Sequence, residues 1–133
     1  MPTRSLNSSV FKWPNRAQIE AALRDWAAIA IKEHPETVRL GYFGSYARGD
    51  WGVGSDLDLI VVVAETHIPF EKRSLSWDLS QLPIPAELLI YSQSEWRQMQ
   101  MEQGRFARTL AHETIWIYPR RHNNPPPQAE TRP

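Results

Sequence analysis

A chain of 133 residues has room for one domain of ordinary size around a single hydrophobic core. Its 41% apolar content, with six tryptophans, argues against wholesale disorder, and its 15 basic and 15 acidic side chains cancel to a formal net charge of zero. A balanced charge supplies no strong field for DNA or RNA, so nucleic acid is not expected as the main partner.

Cysteine is absent, which removes disulfides, thiolate metal sites and cysteine nucleophiles together. The four histidines, His34, His67, His112 and His122, are scattered without metal-protease spacing. No apolar run, Leu59 to Ala64 included, exceeds six residues, against the roughly 20 a membrane helix requires. The N-terminal MPTRSLNSSVFKWP has no apolar stretch resembling a signal peptide. These features lead us to expect a soluble, cytoplasmic protein with no membrane contact.

Residues 1–13 read as an N-terminal arm in which Val10, Phe11 and Trp13 are candidates to pack against the body. After Pro14, Asn15 and Gln18 have the spacing of a capping box. Ile19, Leu23, Trp26, Ala27 and Ala30 then share one helical face, and Pro35 marks the end. Val38 to Phe43 reads as a strand that stops at Gly44-Ser45, followed by a helical turn through Tyr46, Ala47 and Arg48 and a glycine-rich loop. Leu57 to Val63 is a nearly continuous apolar run, the pattern of a strand covered on both faces.

Pro69 is placed to open a helix to about Leu82, with Phe70, Leu75 and Leu79 as its expected buried contacts. Pro83 and Pro85 break it, and Ala86 to Tyr91 reads as a third strand. Ser92 and Glu95 form a second capping box, starting a helix expected to run, bent at Gly104, to about His112. Thr114 to Tyr118 is a last short strand, and the proline-rich segment 119–133 is expected to be a disordered tail. The alternation predicts an α/β or α+β domain over 14–118, with a small mixed sheet of about four strands flanked by helices.

Two clusters carry chemistry. Five of the six glycines (41, 44, 49, 52 and 54) fall within 14 residues, which concentrates backbone freedom at one place. Gly44-Ser45 lies between a strand and a helical turn, where backbone N–H groups and the Ser45 hydroxyl suit phosphate, although taken alone the pair reads more readily as an ordinary tight turn. Asp56 and Asp58 are two apart in a strand and so project from the same face. Two ionised carboxylates side by side repel unless a cation neutralises them, and Mg²⁺ commonly takes one or two carboxylates together with substrate phosphates. Asp58 lies between Leu57 and Leu59 at the head of the most apolar strand, where a charge needs a partner.

If the strands ending at Phe43 and starting at Leu57 are antiparallel neighbours, Gly44-Ser45 faces Asp56 and Asp58 directly. A helix-containing crossover then brings the third strand in parallel, starting at the same end of the sheet. Its Glu87 is either a third carboxylate for metal or proton transfer or an exposed edge-strand residue.

Gly44-Ser45, ten residues, then Asp56-Leu57-Asp58 resembles the signature of the polymerase-β-like nucleotidyltransferase superfamily. The longer string GSYARGDWGVGSDLDLIVVV is similar to the minimal nucleotidyltransferases encoded beside HEPN-domain proteins in toxin–antitoxin modules. The resemblance spans roughly residues 15–118. It implies a nucleotidyltransferase fold and Mg²⁺-dependent use of ATP. Gly44, Ser45, Arg48 and Ser55 would bind the nucleotide, and Asp56 and Asp58 would be catalytic metal ligands, with Glu87 as third ligand or base. Glu87 stands where the family more often has aspartate, which puts its metal geometry in question. Arg48 is equally suited to pair with Asp50, and Tyr46 and Trp51 to pack under the loop rather than stack on a base.

The family antitoxin transfers AMP to a tyrosine hydroxyl of its HEPN ribonuclease toxin and silences it. With no second domain to grip an acceptor, the acceptor is expected to come from another chain or to sit on a small exposed surface, and the resemblance implies a partner protein. The competing expectations are a binding-only antitoxin with a decayed site, which the glutamate at position 87 favours, and a small-molecule transferase of the aminoglycoside type.

Overall fold

The computed structural model describes residues 13–119. The proposed arm and tail therefore lie almost wholly outside the described residues. Of the arm, Trp13 is described, and it packs against the main core.

Helix α1 (Arg16–Glu33) starts at the anticipated capping box: Gln18 N–H donates to Asn15 Oδ1 at 2.9 Å, and Asn15 N–H donates to Gln18 Oε1 at 2.8 Å. Its buried residues are Ile19, Leu23, Trp26, Ala27 and Ala30, the five on the anticipated face. Strand β1 (Thr37–Phe43) leads into a one-turn helix α2 (Ser45–Arg48), and β2 (Leu57–Val63) follows the glycine-rich loop. A 3₁₀ helix (Phe70–Ser76) lies in the crossover to β3 (Ala86–Ser92). Helices α3 (Gln93–Glu102) and α4 (Arg105–Glu113) and strand β4 (Ile115–Tyr118) complete the described chain. No described helix is long and apolar enough to cross a membrane.

The four strands form one mixed sheet in the order β3-β2-β1-β4. Strand β1 pairs antiparallel with β2 and with β4, while β3 pairs parallel with β2. The continuous apolar run of β2 is explained by burial on both faces. Leu57, Leu59, Val61 and Val63 join α1, Leu40 and Tyr42 in the larger core, while Ile60 and Val62 meet Trp96 of α3 and Leu110 of α4 on the other side.

Two expectations need correction. The segment after Pro69 is not an α-helix to Leu82 but a 3₁₀ helix ending at Ser76, and Phe70 and Leu75 are exposed, Leu75 at 80%. With three residues per turn, the side chain turned inward is Arg73, and Trp77, Leu82 and Ile84 supply the apolar contacts instead. Leu79 is half-buried against that core. Likewise, the helix begun at Ser92 does not merely bend at Gly104. It stops at Gln103, which adopts a left-handed conformation (φ 53°), and a separate helix begins after Gly104. That break lets α4 carry its own polar end, Glu113, back to the sheet.

Candidate active site

The register brings the two sequence clusters together. Phe43, the last residue of β1, pairs with Asp58 of β2, and Asp58 pairs with Glu87 of β3. The Gly44 turn, Asp58 and Glu87 therefore stand side by side across three strands at one end of the sheet, as antiparallel and parallel pairing respectively demand. Asp58 is half-buried, whereas Asp56 and Glu87 are exposed. Glu87 thus lies on an edge strand, yet next to the half-buried carboxylate.

Contact between Gly44 and Asp58 is close. Gly44 has φ 80° and ψ −154°, a conformation essentially closed to residues with a side chain. A Cβ on Gly44 would lie 2.1 Å from Asp58 Oδ2 and 3.1 Å from Asp58 Cγ. Glycine is required here both for its backbone angle and for the space it leaves the carboxylate. Gly44→Ala is accordingly expected to destabilise the fold by about 2–4 kcal/mol, combining backbone strain with displacement of Asp58, and to remove activity. Urea denaturation and a transfer assay would read the two losses, and a variant as stable as the wild type would contradict the packing described.

Burial is the main force holding the Asp58 carboxyl above its ordinary pKa; the charges of Glu87 and then Asp56 add to it, and only Arg48 opposes them. A carboxylate in this position gains from a cation. Among the described residues no three histidine or carboxylate side chains form a ready-made cage for a metal ion. Asp56 and Asp58 nevertheless fit Mg²⁺, which is commonly held by one or two carboxylates with substrate phosphates completing its shell. Because Gly44 has no side chain, Asp58 Oδ2 can pack directly against the backbone of the Gly44 turn.

The remaining expected nucleotide-binding residues lie around this point. Ser45 opens α2, and its carbonyl accepts the N–H groups of Gly49 (2.9 Å) and Asp50 (3.1 Å), which closes the turn. Arg48 donates through Nε to Asp50 Oδ2 at 3.0 Å, and its Nη1 lies 3.2 Å from Glu113 Oε2. Both acids keep its guanidinium firmly protonated. Ser55 braces the loop, its Oγ accepting the Gly52 N–H at 2.9 Å. Tyr46 is fully buried, stacks on Trp51 at 5.2 Å and 7°, and donates its hydroxyl to the Pro14 carbonyl at 3.0 Å. The two aromatic rings pack under the loop, and Tyr46 is no platform for a base.

Sequence reasoning missed Glu113. This residue ends α4, and its Oε2 accepts the Gly44 N–H at 2.7 Å. The available signal was positional: a strand antiparallel to β1 beginning near residue 115 must return the end of the preceding helix to the Gly44 turn.

Comparison with known proteins fits this arrangement. The family model of the nucleotidyltransferase domain matches residues 25–116, which include Gly44, Ser45, Asp56, Asp58 and Glu87. The chain belongs to that family. This nucleotidyltransferase domain also shares its fold with a protein from Sulfolobus solfataricus crystallised as a candidate nucleotidyltransferase. The two are 13% identical with a TM-score of 0.57, over 79% of this chain and 84% of that one. A mutant of the toxin–antitoxin pair MntA–HpeT aligns with a TM-score of 0.47 and 19% identity, over 84% of this chain and 77% of that one. No curated protein matches the sequence.

Proposed function

We propose that this nucleotidyltransferase uses Mg²⁺ and ATP to transfer AMP to a tyrosine hydroxyl on a partner HEPN ribonuclease toxin, and so acts as its antitoxin. The observation that carries the chemistry is the pinning of Asp58 against the bare Cα of Gly44, with Asp56 and Glu87 adding charge beside it. The turn that would receive phosphate and one of the carboxylates that would hold the metal are thereby in contact. The protein acceptor and the antitoxin role are supported by the string from Gly44 to Val63, which resembles the minimal nucleotidyltransferases.

In the proposed reaction the acceptor oxygen bonds to the α-phosphorus of ATP, the bond from that phosphorus to the bridging oxygen breaks, and pyrophosphate leaves with the electron pair. Bound at Asp56 and Asp58, Mg²⁺ would supply charge neutralisation for the triphosphate and acidify the acceptor hydroxyl. Residues 44 and 45 would receive phosphoryl oxygens at the start of α2, where the first-turn N–H groups have no intrahelical partner. Glu87, exposed and in register with Asp58, would take the proton the acceptor loses.

Label transfer tests the reading. The chain is incubated with Mg²⁺, the protein encoded by its neighbouring gene and ATP labelled at the α or the γ phosphate. Label on the partner from the α position alone is the expected result; label from the γ position would indicate a kinase. A second reading, neutralisation by binding alone, is favoured by the glutamate at position 87, where the resembled family more often has aspartate. A tight complex without label from either position would establish it.

A further inference from the structure

Glu113 is only 13% exposed, and its carboxylate is turned into the phosphate turn. Oε2 accepts the Gly44 N–H at 2.7 Å and lies 3.2 Å from Arg48 Nη1, which also reaches Oε1 at 3.4 Å. A main-chain N–H at a glycine turn and a guanidinium are the donor types by which proteins hold phosphoryl oxygens. Here they hold a carboxylate of the chain itself. An N–H has one hydrogen, so Gly44 cannot serve Glu113 and a phosphoryl oxygen at full strength together. Asp58 lies near enough to feel the Glu113 charge, so another acid in this corner is not neutral in its effect.

We propose that Glu113 is an internal stand-in for a substrate phosphoryl group, occupying the Gly44 N–H and Arg48 in the nucleotide-free protein and displaced when a nucleoside triphosphate binds. The inference rests on the nucleotidyl-transfer reading of the site. Two consequences follow from the contacts. The φ 80° turn is held in shape before nucleotide arrives, because its N–H is already satisfied. Nucleotide affinity is held down, because the incoming phosphate must break a charge-assisted hydrogen bond and an ion pair before forming its own. Arg48 is not released to solvent by the exchange, since Asp50 still holds its Nε.

The test is calorimetric binding of Mg-ATP and of Mg-tripolyphosphate, which has no base, to the wild type, Glu113→Gln and Glu113→Asp. The amide cannot form the ion pair, and the shorter aspartate carries the charge away from Gly44. In Glu113→Gln both ligands are expected to bind about five- to tenfold more tightly, while the melting temperature without ligand falls; Glu113→Asp is expected to lie between. A purely structural Glu113 would lower the melting temperature and leave affinity unchanged or weaker. That result in either folded variant overturns the inference, as does failure of the wild type and both variants to bind either ligand. Tighter binding without any transfer to a partner would sink the nucleotidyl-transfer reading and keep the displacement. Transfer with unshifted affinity would do the reverse.

Discussion

Asp58→Asn is expected to abolish nucleotidyl transfer while leaving the protein at least as stable as the wild type. The expected loss is about a thousandfold or more, since the metal's charge stabilisation amounts to several kcal/mol and each 1.36 kcal/mol is about tenfold in rate. The stability claim follows from the environment of Asp58. Burial, Glu87 and Asp56 raise its pKa in the folded protein, so between the ordinary carboxylate value and the raised one the native state binds more protons than the unfolded chain. Stability therefore rises as the pH falls through that window, and at neutral pH the ionised side chain is a burden on the fold. Asparagine keeps the shape and removes the charge. Melting curves of both proteins, with and without Mg²⁺, check the claim: Mg²⁺ should raise the midpoint of the wild type and not of the variant. Wild-type turnover in Asp58→Asn would refute the metal assignment, and a large drop in its melting temperature would refute the electrostatic account.

A second large effect is expected far from the reaction, at Arg73. The guanidinium, 8% exposed, donates to the carbonyls of Ile68 (2.7 Å) and Ile90 (3.0 Å) and forms a two-pronged pair with Glu95 at 2.7 and 3.0 Å. It clamps the 3₁₀ crossover to the end of β3 and the start of α3. Arg73→Met keeps the bulk but strands both carbonyls, and is expected to cost about 3 kcal/mol. Glu95→Gln should cost less, about 1 kcal/mol, because Glu95 is 43% exposed and screened by water. Arg73, helped by the Ser92 N–H, holds the Glu95 carboxyl down at about 2. Its contribution is therefore complete above the ordinary glutamate range and is lost as the pH falls from there toward about 2. Urea midpoints at neutral pH and at about pH 3 would show the wild type losing this increment and Glu95→Gln having less to lose. Equal acid sensitivity in the two proteins would contradict the assignment.

The sequence was legible where one physical demand dominated. The capping box at Asn15 and the face from Ile19 to Ala30 could be read because helix periodicity and burial agree. The β2 run and the position of Asp58 within it were legible because a charge among seven strand residues buried on both faces has few explanations. Register then followed from topology, which is why Glu87 was anticipated beside Asp58. The crossover was misread because Phe70, Leu75 and Leu79 suggest an apolar face, while the actual inward residue, Arg73, is a cation whose burial depends on a glutamate 22 positions away. Glu113 was hidden for the same reason. Its role comes from a hydrogen bond to a glycine 69 residues earlier, and nothing in the local pattern of α4 marks it.

The position of β4 in the sheet bears on how the protein is made. The last described strand pairs with β1, so β1 is interior only in the finished sheet order β3-β2-β1-β4. As the chain emerges from the ribosome, β1, β2 and β3 are available to pair well before β4 has been synthesised. During that interval β1 is an open edge with free N–H and C=O groups, the kind of surface on which nascent chains associate. Premature termination before Ile115 would leave that edge permanently uncovered. The Gly44 turn and the acidic strands would be present, but the product would be prone to aggregate.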